Sequence, residues 1–175
     1  MKALNFLSIL MLFLLTSCST VSVYSDYDKN VDFSQFKTFA FYKPGIDKVQ
    51  ISDFDKKRIL SAIETNMISK GFTISESPDL LVNFYTKEYT QTDYYNGYYG
   101  WGWGPYWGGG YYPYSYSYPA GTLFIDLINA KTNQLVWQGE GNGYLVKGGA
   151  EKDARIKEFV DKIMMQYPPE VPKKK

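Results

Sequence analysis

Between Tyr94 and Pro119 the chain carries 26 residues without a single charge: ten Tyr, three Trp, seven Gly and three Pro. No other stretch limits the fold as much. Glycine favours neither helix nor strand, and proline removes a backbone donor, so long regular structure is not expected here. Connections inside compact domains usually run about two to six residues, and a much longer one is either functional or disordered. Three readings of this insert, bounded at 91–119, stand side by side: a low-complexity loop without a single partner, an interaction surface, or a glycan contact. Tyr and Trp give large amphipathic contact area at low side-chain entropy and favour membrane interfaces. The candidate contact residues are therefore Tyr94, Tyr95, Tyr98, Tyr99, Trp101, Trp103, Tyr106, Trp107, Tyr111 and Tyr112. Carbohydrate sites usually add carboxylates or amides to fix hydroxyls, and the insert supplies only Asn96, which ranks glycan below protein or lipid.

The first residues carry an address. Lys2 precedes an apolar run from Ala3 to Leu15 broken only by Asn5 and Ser8, and Leu15-Thr16-Ser17-Cys18 follows. A basic start, a short apolar core and small residues before a cut describe a signal peptide. The run is shorter than the roughly 20 residues a spanning helix needs. Leu-Thr-Ser-Cys resembles a lipobox, which implies cleavage after residue 17 and diacylglyceryl and acyl chains (palmitate in kind) on Cys18. Two or more acyl chains anchor stably where one is marginal, at about 0.8 kcal/mol per buried methylene. The expected partner is thus a membrane, through lipid on Cys18. Residues 18–32 are expected to form the tether, with Val21 and Val23 alternating as in a short edge strand.

Composition closes many routes to chemistry. With Lys2 removed, 18 basic residues face 18 acidic ones, since the full chain has 19 Lys and Arg against 18 Asp and Glu. A neutral balance speaks against a nucleic-acid partner, which needs clustered cations. Cys18 is the only cysteine and histidine is absent. The commonest general base and the commonest metal ligand are both missing, and no cofactor or metal site is expected. Ser34-Gln35-Phe36-Lys37 has the S-x-x-K spacing of some acyl enzymes, but it leads into a strand rather than opening a helix. Asp26, Asp28 and Asp32 lack the glycine and final glutamate of a calcium loop and read as solvated turn carboxylates. Asp126 and Glu140 lie on or beside a hairpin and would matter only if they converged in a cleft, as a glycosidase pair must. No catalytic residue is assigned.

Periodicity gives the elements. Phe33 to Tyr42 reads as a strand ending at Pro44-Gly45. Ser52 to Lys70 reads as a helix with Phe54, Ile59, Leu60, Ile63, Met67 and Ile68 on its stripe, capped by Ser52 or Asp53. Leu80 to Thr90 alternates as a strand. Leu123 to Ile128 and Leu135 to Gly139 read as a hairpin joined by a polar link. Gly139, Gly141 and Gly143 share one face, which suggests a bulge or close backbone packing. Glu151 to Tyr167 carries the stripe Ile156, Phe159, Val160, Ile163, Met164 and Tyr167, and 168–175 is left as a solvated tail. The expected fold is α+β: one two-layer domain over 33–167, a mainly antiparallel sheet with two helices on one face, ordered β-α-β-(insert)-β-β-α.

Several short pieces, in order, carry a family likeness. They are Asp26-Tyr27-Asp28, Asp32-Phe33-Ser34, Lys37-Thr38-Phe39, Lys70-Gly71-Phe72, Pro78-Asp79-Leu80, Gly121-Thr122-Leu123 with Ile125-Asp126-Leu127, and Leu135-Val136-Trp137-Gln138-Gly139. From Tyr24 onward the chain resembles the bacterial lipoprotein domain of unknown function numbered 4136. That resemblance implies a Gram-negative envelope lipoprotein and brings no catalytic residue with it. Ser19 follows the cysteine where an Asp would imply inner-membrane retention, and no acidic run follows as in surface export. The expected place is the outer membrane, periplasmic face. The expected role is a non-enzymatic binding module whose partner is an envelope protein, a glycan or lipid. The alternatives are a small carboxylate-dependent hydrolase and a self-associating structural protein.

Overall fold

A computed structural model describes residues 21–95, 114–146 and 148–169. In chain order the elements are β1 (Ser22–Tyr27), β2 (Thr38–Phe41), α1 (Lys43–Ile46), α2 (Asp53–Ser69), β3 (Thr73–Ile74), β4 (Leu80–Tyr95), β5 (Tyr114–Asn129), β6 (Gln134–Tyr144) and α3 (Gly149–Met164). They build one six-stranded sheet in the order β1-β6-β5-β4-β2-β3. β4, β5, β6 and β1 pair antiparallel, whereas β2 pairs parallel with both β4 and β3.

This corrects the expected architecture. The sheet is mixed rather than mainly antiparallel, has six strands, and is accompanied by three helices. The parallel pairing follows from the connection between β2 and β4, which passes through α1 and α2: a strand, helix, strand crossover returns the chain in the same direction. Phe33 to Tyr42 is not one strand. Asp32 accepts hydrogen bonds from the Ser34 N–H and Oγ and so turns Phe33–Gln35 into a single 3-10 turn before β2. Pro44, expected to end a strand in a turn, opens α1, where its missing N–H costs nothing. The polar stretch, open to reading as tether or short edge strand, holds β1 at the edge of the sheet, paired with β6 from Ser22↔Asn142 to Tyr27↔Trp137.

Strand alternation decides which face is buried. Leu80, Val82 and Phe84 of β4, Leu123, Ile125 and Leu127 of β5 and Trp137 of β6 all enter one core cluster. α2 adds Ile59, Ile63 and Met67, and α3 adds Phe159, Val160, Ile163 and Met164. Ser52 caps α2 by accepting the Asp55 N–H. Phe54 and Ile68, placed on the stripe by spacing, are 72% and 52% exposed, so the true stripe is narrower and includes Asp55. The register slips between Leu127 and Ile128, which pair with Trp137 and Leu135, leaving Val136 as the extra residue of a bulge. The glycines further along β6 serve close packing instead. A Cβ on Gly141 would lie 2.8 Å from Ile163 Cδ1, and one on Gly139 would strike Ile163 and Trp137. α3 therefore sits directly on the β6 backbone.

Asp79 fixes where the parallel strands meet. Its Oδ2 accepts the N–H groups of Lys37 (2.9 Å) and Thr38 (3.1 Å) and the Thr38 hydroxyl (3.0 Å). The Lys37 N–H, chief among these bonds, holds the Asp79 carboxyl below its ordinary value.

Candidate functional site

The most unusual feature is a projecting arm. β4 and β5 pair without interruption from Leu80↔Asn129 to Tyr95↔Tyr114. β6 joins β5 only from Ala120↔Tyr144 inward, and β2 reaches β4 no further than Val82. The six pairs from Thr90↔Pro119 to Tyr95↔Tyr114 consequently form a two-stranded ribbon, about 20 Å long at the usual rise per residue. Pro119 marks the branch point: its carbonyl accepts the Leu145 N–H (3.0 Å), the last link to the neighbouring strand. Beyond it Thr92 and Ser117 face each other across the ribbon with their hydroxyls 2.9 Å apart.

Long regular structure is not expected over Tyr94–Pro119, yet its flanks belong to two long strands, Tyr94–Tyr95 ending β4 and Tyr114–Pro119 opening β5. All seven glycines fall between residues 97 and 110, and the flanks Tyr94-Tyr95 and Tyr114-Ser115-Tyr116-Ser117-Tyr118 are strand-forming in composition. Of the candidate contact residues, Tyr94 and Tyr95 have their backbone in β4. Tyr98, Tyr99, Trp101, Trp103, Tyr106, Trp107, Tyr111 and Tyr112 lie outside the described residues, as does Cys18.

At the base of the arm, on the helix side of the sheet, a cavity of about 130 Å³ opens between α2 and α3. Its apolar wall includes Ile51, Ile59, Leu123, Leu145, Ile156 and Phe159. Three of its charged residues, Asp55, Lys152 and Arg155, are engaged in ion pairs. Asp55 accepts from Lys152 (2.6 Å) and Arg58 (2.9 Å), and Arg58 also pairs with Asp153. Burial pushes the Asp55 carboxyl up, but hydrogen bonds from Lys152, Ser52 and Arg58 outweigh it and leave the group below its ordinary value. Arg155 donates to the Tyr144 carbonyl (3.1 Å), pairs with Glu158 (2.7 Å) and lays its guanidinium over the Tyr144 and Phe159 rings. Sequence reasoning missed Arg155. The available signal was its place four residues before Phe159, on the same helical stripe.

The other face of the sheet carries the carboxylates once weighed as a catalytic pair. Register places Asp126 opposite Gln138 and Glu140 opposite Phe124, so the two are diagonal neighbours on the side away from the cavity. Each is held by an amide: Gln138 Nε2 donates to Asp126 (2.7 Å) and Asn142 Nδ2 to Glu140 (2.6 Å). Burial raises the Asp126 carboxyl above its ordinary value despite bonds from Gln138 and Asn83. Beside them Tyr85 and Phe124 stack at 4.5 Å, with the Lys87 ammonium 5.2 Å from the Phe124 centroid. This is a polar ladder closed on itself, not a cleft with a free acid and base.

The remaining candidates are local. Ser34 donates its hydroxyl to Asp32 rather than meeting Lys37. Asp26 accepts its neighbour's N–H, and Asp28 accepts from Asn30. Among the described residues no group of His, Cys, Asp and Glu could hold a metal ion, and no helix is long and apolar enough to cross a membrane.

A mixed six-stranded sheet, two packed helices and a protruding β-ribbon define the class: a one-sheet domain carrying an arm. Residues 23–169 match the model of the Domain of unknown function DUF4136, and the chain belongs to that family. Among solved structures it is similar to a PDZ domain protein from Parabacteroides distasonis, with a TM-score of 0.53 and 18% identity over 94% of this chain and 40% of that one. The chain thus spans about two fifths of that protein, and the likeness is one of fold. The PelC dodecamer from Paraburkholderia phytofirmans gives a TM-score of 0.43 and 12% identity over 82% of this chain and 94% of that one. No curated protein matches.

Proposed function

We propose that this protein is a lipid-anchored envelope module, without a catalytic step of its own, that engages its partner through the tip of the β4–β5 arm. In this reading Cys18 carries the acyl chains and the domain stands at the periplasmic face of the outer membrane. The observation that carries it is the ribbon itself. A two-stranded ribbon has little stability alone, so carrying one well past the sheet makes sense only if its end contacts something. What it carries there is the charge-free stretch dominated by Tyr, Trp and Gly. The amide bonds to Asp126 and Glu140 and the ion pairs around Asp55 tie these side chains to neighbours within the domain, which supports a contact role for the arm.

Because Tyr95 and Tyr114 face each other directly, residues 96–113 can be replaced by Asn-Gly, the favoured two-residue hairpin turn. The shortened protein should melt as cooperatively as the parent. A photo-crosslinker at Thr92 or Ser117 should capture a partner in membranes only when the native tip is present. Identical adducts from both proteins would remove the arm from the function; loss of cooperative melting would make the tip part of the fold.

A further inference from the structure

One long strand edge is left bare. β2 runs beside β4 only to Val82, whose carbonyl accepts the Tyr42 N–H (2.8 Å) before the chain turns away into α1. Backbone groups alternate sides along a strand, so those of Phe84, Thr86, Glu88 and Thr90 point out on this same edge. The base of the arm has the same phase. Thr90 pairs with Pro119, whose carbonyl is bonded to Leu145 on the far side, so the two residues turn their backbone groups away from each other. Among the described residues no backbone bond reaches this edge beyond Val82. The lane vacated by β2 stays open as a groove of about 420 Å³, with Gly45, Lys48 and Gln50 on one side and Tyr85, Thr86 and Glu88 on the other. Natural sheets usually shorten, bulge or cover such an edge, yet from Phe84 to Tyr95 β4 has neither a proline nor a break in register.

We propose that a second copy of this chain fills the lane, the two β4 strands pairing edge to edge, antiparallel, about a two-fold axis at Thr90. A two-stranded ribbon is marginal alone; the copy's ribbon turns two strands into four, in the order β5-β4-β4-β5. A two-fold contact presents one surface from both sides, and here outward groups must meet outward groups. Thr86, Glu88 and Thr90 then face Tyr94, Thr92 and Thr90 of the second copy, with about ten backbone bonds exchanged along the seam. Charge selects this register. It sets Lys87 of each copy directly across from Asp93 of the other, an opposite-charge pair. Sliding the strands until Glu88 meets Glu88 would set like charges opposite. The edge of β1 is a poorer site, since its six residues already belong to the full sheet.

The test is oxidative crosslinking of the full chain carrying Thr90→Cys, with Ser25→Cys on the β1 edge as comparison; both positions are exposed. Facing residues of a hydrogen-bonded pair lie about 5.5 Å apart at Cα, within the span of a disulfide. Mass spectrometry of the linked peptides should find residue 90 joined to residue 90, at least ten-fold above any 25–25 link. Lys87→Glu should lower the 90–90 yield several-fold, and adding Asp93→Lys should restore it, an outcome that general damage to the arm cannot give. The link should also persist when residues 96–113 are replaced by Asn-Gly, so it stands or falls apart from the role proposed for the tip. Absence of the 90–90 link, or a 25–25 link of equal yield, overturns the inference. Failure of Asp93→Lys to rescue overturns it as well. So does loss of the link with the tip, or position 90 joined to a different protein instead of a second copy.

Discussion

The seat of α3 on β6 can be tested by adding one methyl group. Gly141→Ala puts a Cβ 2.8 Å from Ile163 Cδ1 and 2.9 Å from Ile163 Cγ1, with Phe159 Cδ1 at 3.4 Å. Carbon atoms rest at about 3.5–4.0 Å, so nearly an ångström of overlap with Ile163 must be relieved. Ile163 is fully buried and cannot swing into solvent. Overpacking of this kind costs about 1–3 kcal/mol. At roughly 2–4 °C per kcal/mol for a domain near this size, 2 kcal/mol lowers Tm by about 4–8 °C. The assay is thermal and urea unfolding of a double-mutant cycle with Ile163→Ala, which alone costs about 2–5 kcal/mol through the space it empties. In that background Gly141→Ala should cost almost nothing, because the new methyl enters the vacated volume, a coupling of about 2 kcal/mol. Gly139→Ala should show no such rescue, since its Cβ also meets the Trp137 ring, which stays in place. Gly148→Ala, with nothing within 4 Å, should be silent. Additive effects at 141 and 163 would refute the claim that the helix rests on the bare strand.

Four further outcomes follow from the polar groups. Asp79→Ala should destabilise by about 1–2 kcal/mol after allowance for solvent, since Lys37 and Thr38 lose a shared charged acceptor; unchanged urea midpoints would refute it. Because the folded carboxyls of Asp55 and Asp79 lie below the ordinary 3.8, their contribution is complete above that value and is lost as pH falls through the lower folded values, so the parent protein should weaken in acid and Asp79→Ala less steeply. Asp126 has the opposite sign: its raised carboxyl penalises the folded state above 3.8, so Asp126→Asn should stabilise at neutral pH, with the gain fading in acid; a loss at neutral pH would show the charge is needed. The Tyr167 hydroxyl is buried without a hydrogen-bond partner among the described residues, so Tyr167→Phe should be neutral or stabilising by up to about 1 kcal/mol in the same unfolding assay.

What the sequence displayed was its local chemistry. Ser52 as cap, Ile59-Ile63-Met67 and Phe159-Ile163 as stripes, and the β5–β6 hairpin could all be read from spacing. Asn129 completes that hairpin by accepting the Lys131 and Thr132 N–H groups, and Asn133 takes the left-handed conformation. Partnership between distant segments left no such trace. For β1 the short Val21 and Val23 alternation allowed an edge strand as readily as a tether, but nothing in it named β6, over a hundred residues away, as the partner. β3 has two residues and no pattern at all. The parallel seam depends on Asp79 reaching back to Lys37 and Thr38, which spacing cannot reveal. The arm was hidden because seven glycines dominate the insert, and only its second strand, Tyr114 to Tyr118, carries a visible alternation. Asp126 and Glu140 were separable only by register, since one residue of bulge at Val136 decides which groups share a diagonal.

The antiparallel seam between β1 and β6 has a bearing on how the molecule comes into being. Hairpin contacts among β4, β5 and β6 are near neighbours in the chain, and local pairs form early because little entropy is lost in closing them. Ser22↔Asn142 and Tyr27↔Trp137 join residues 120 and 110 positions apart. During synthesis β1 must wait unpaired until β6 has emerged. The sheet therefore gains its β1 edge only once β6 is in place.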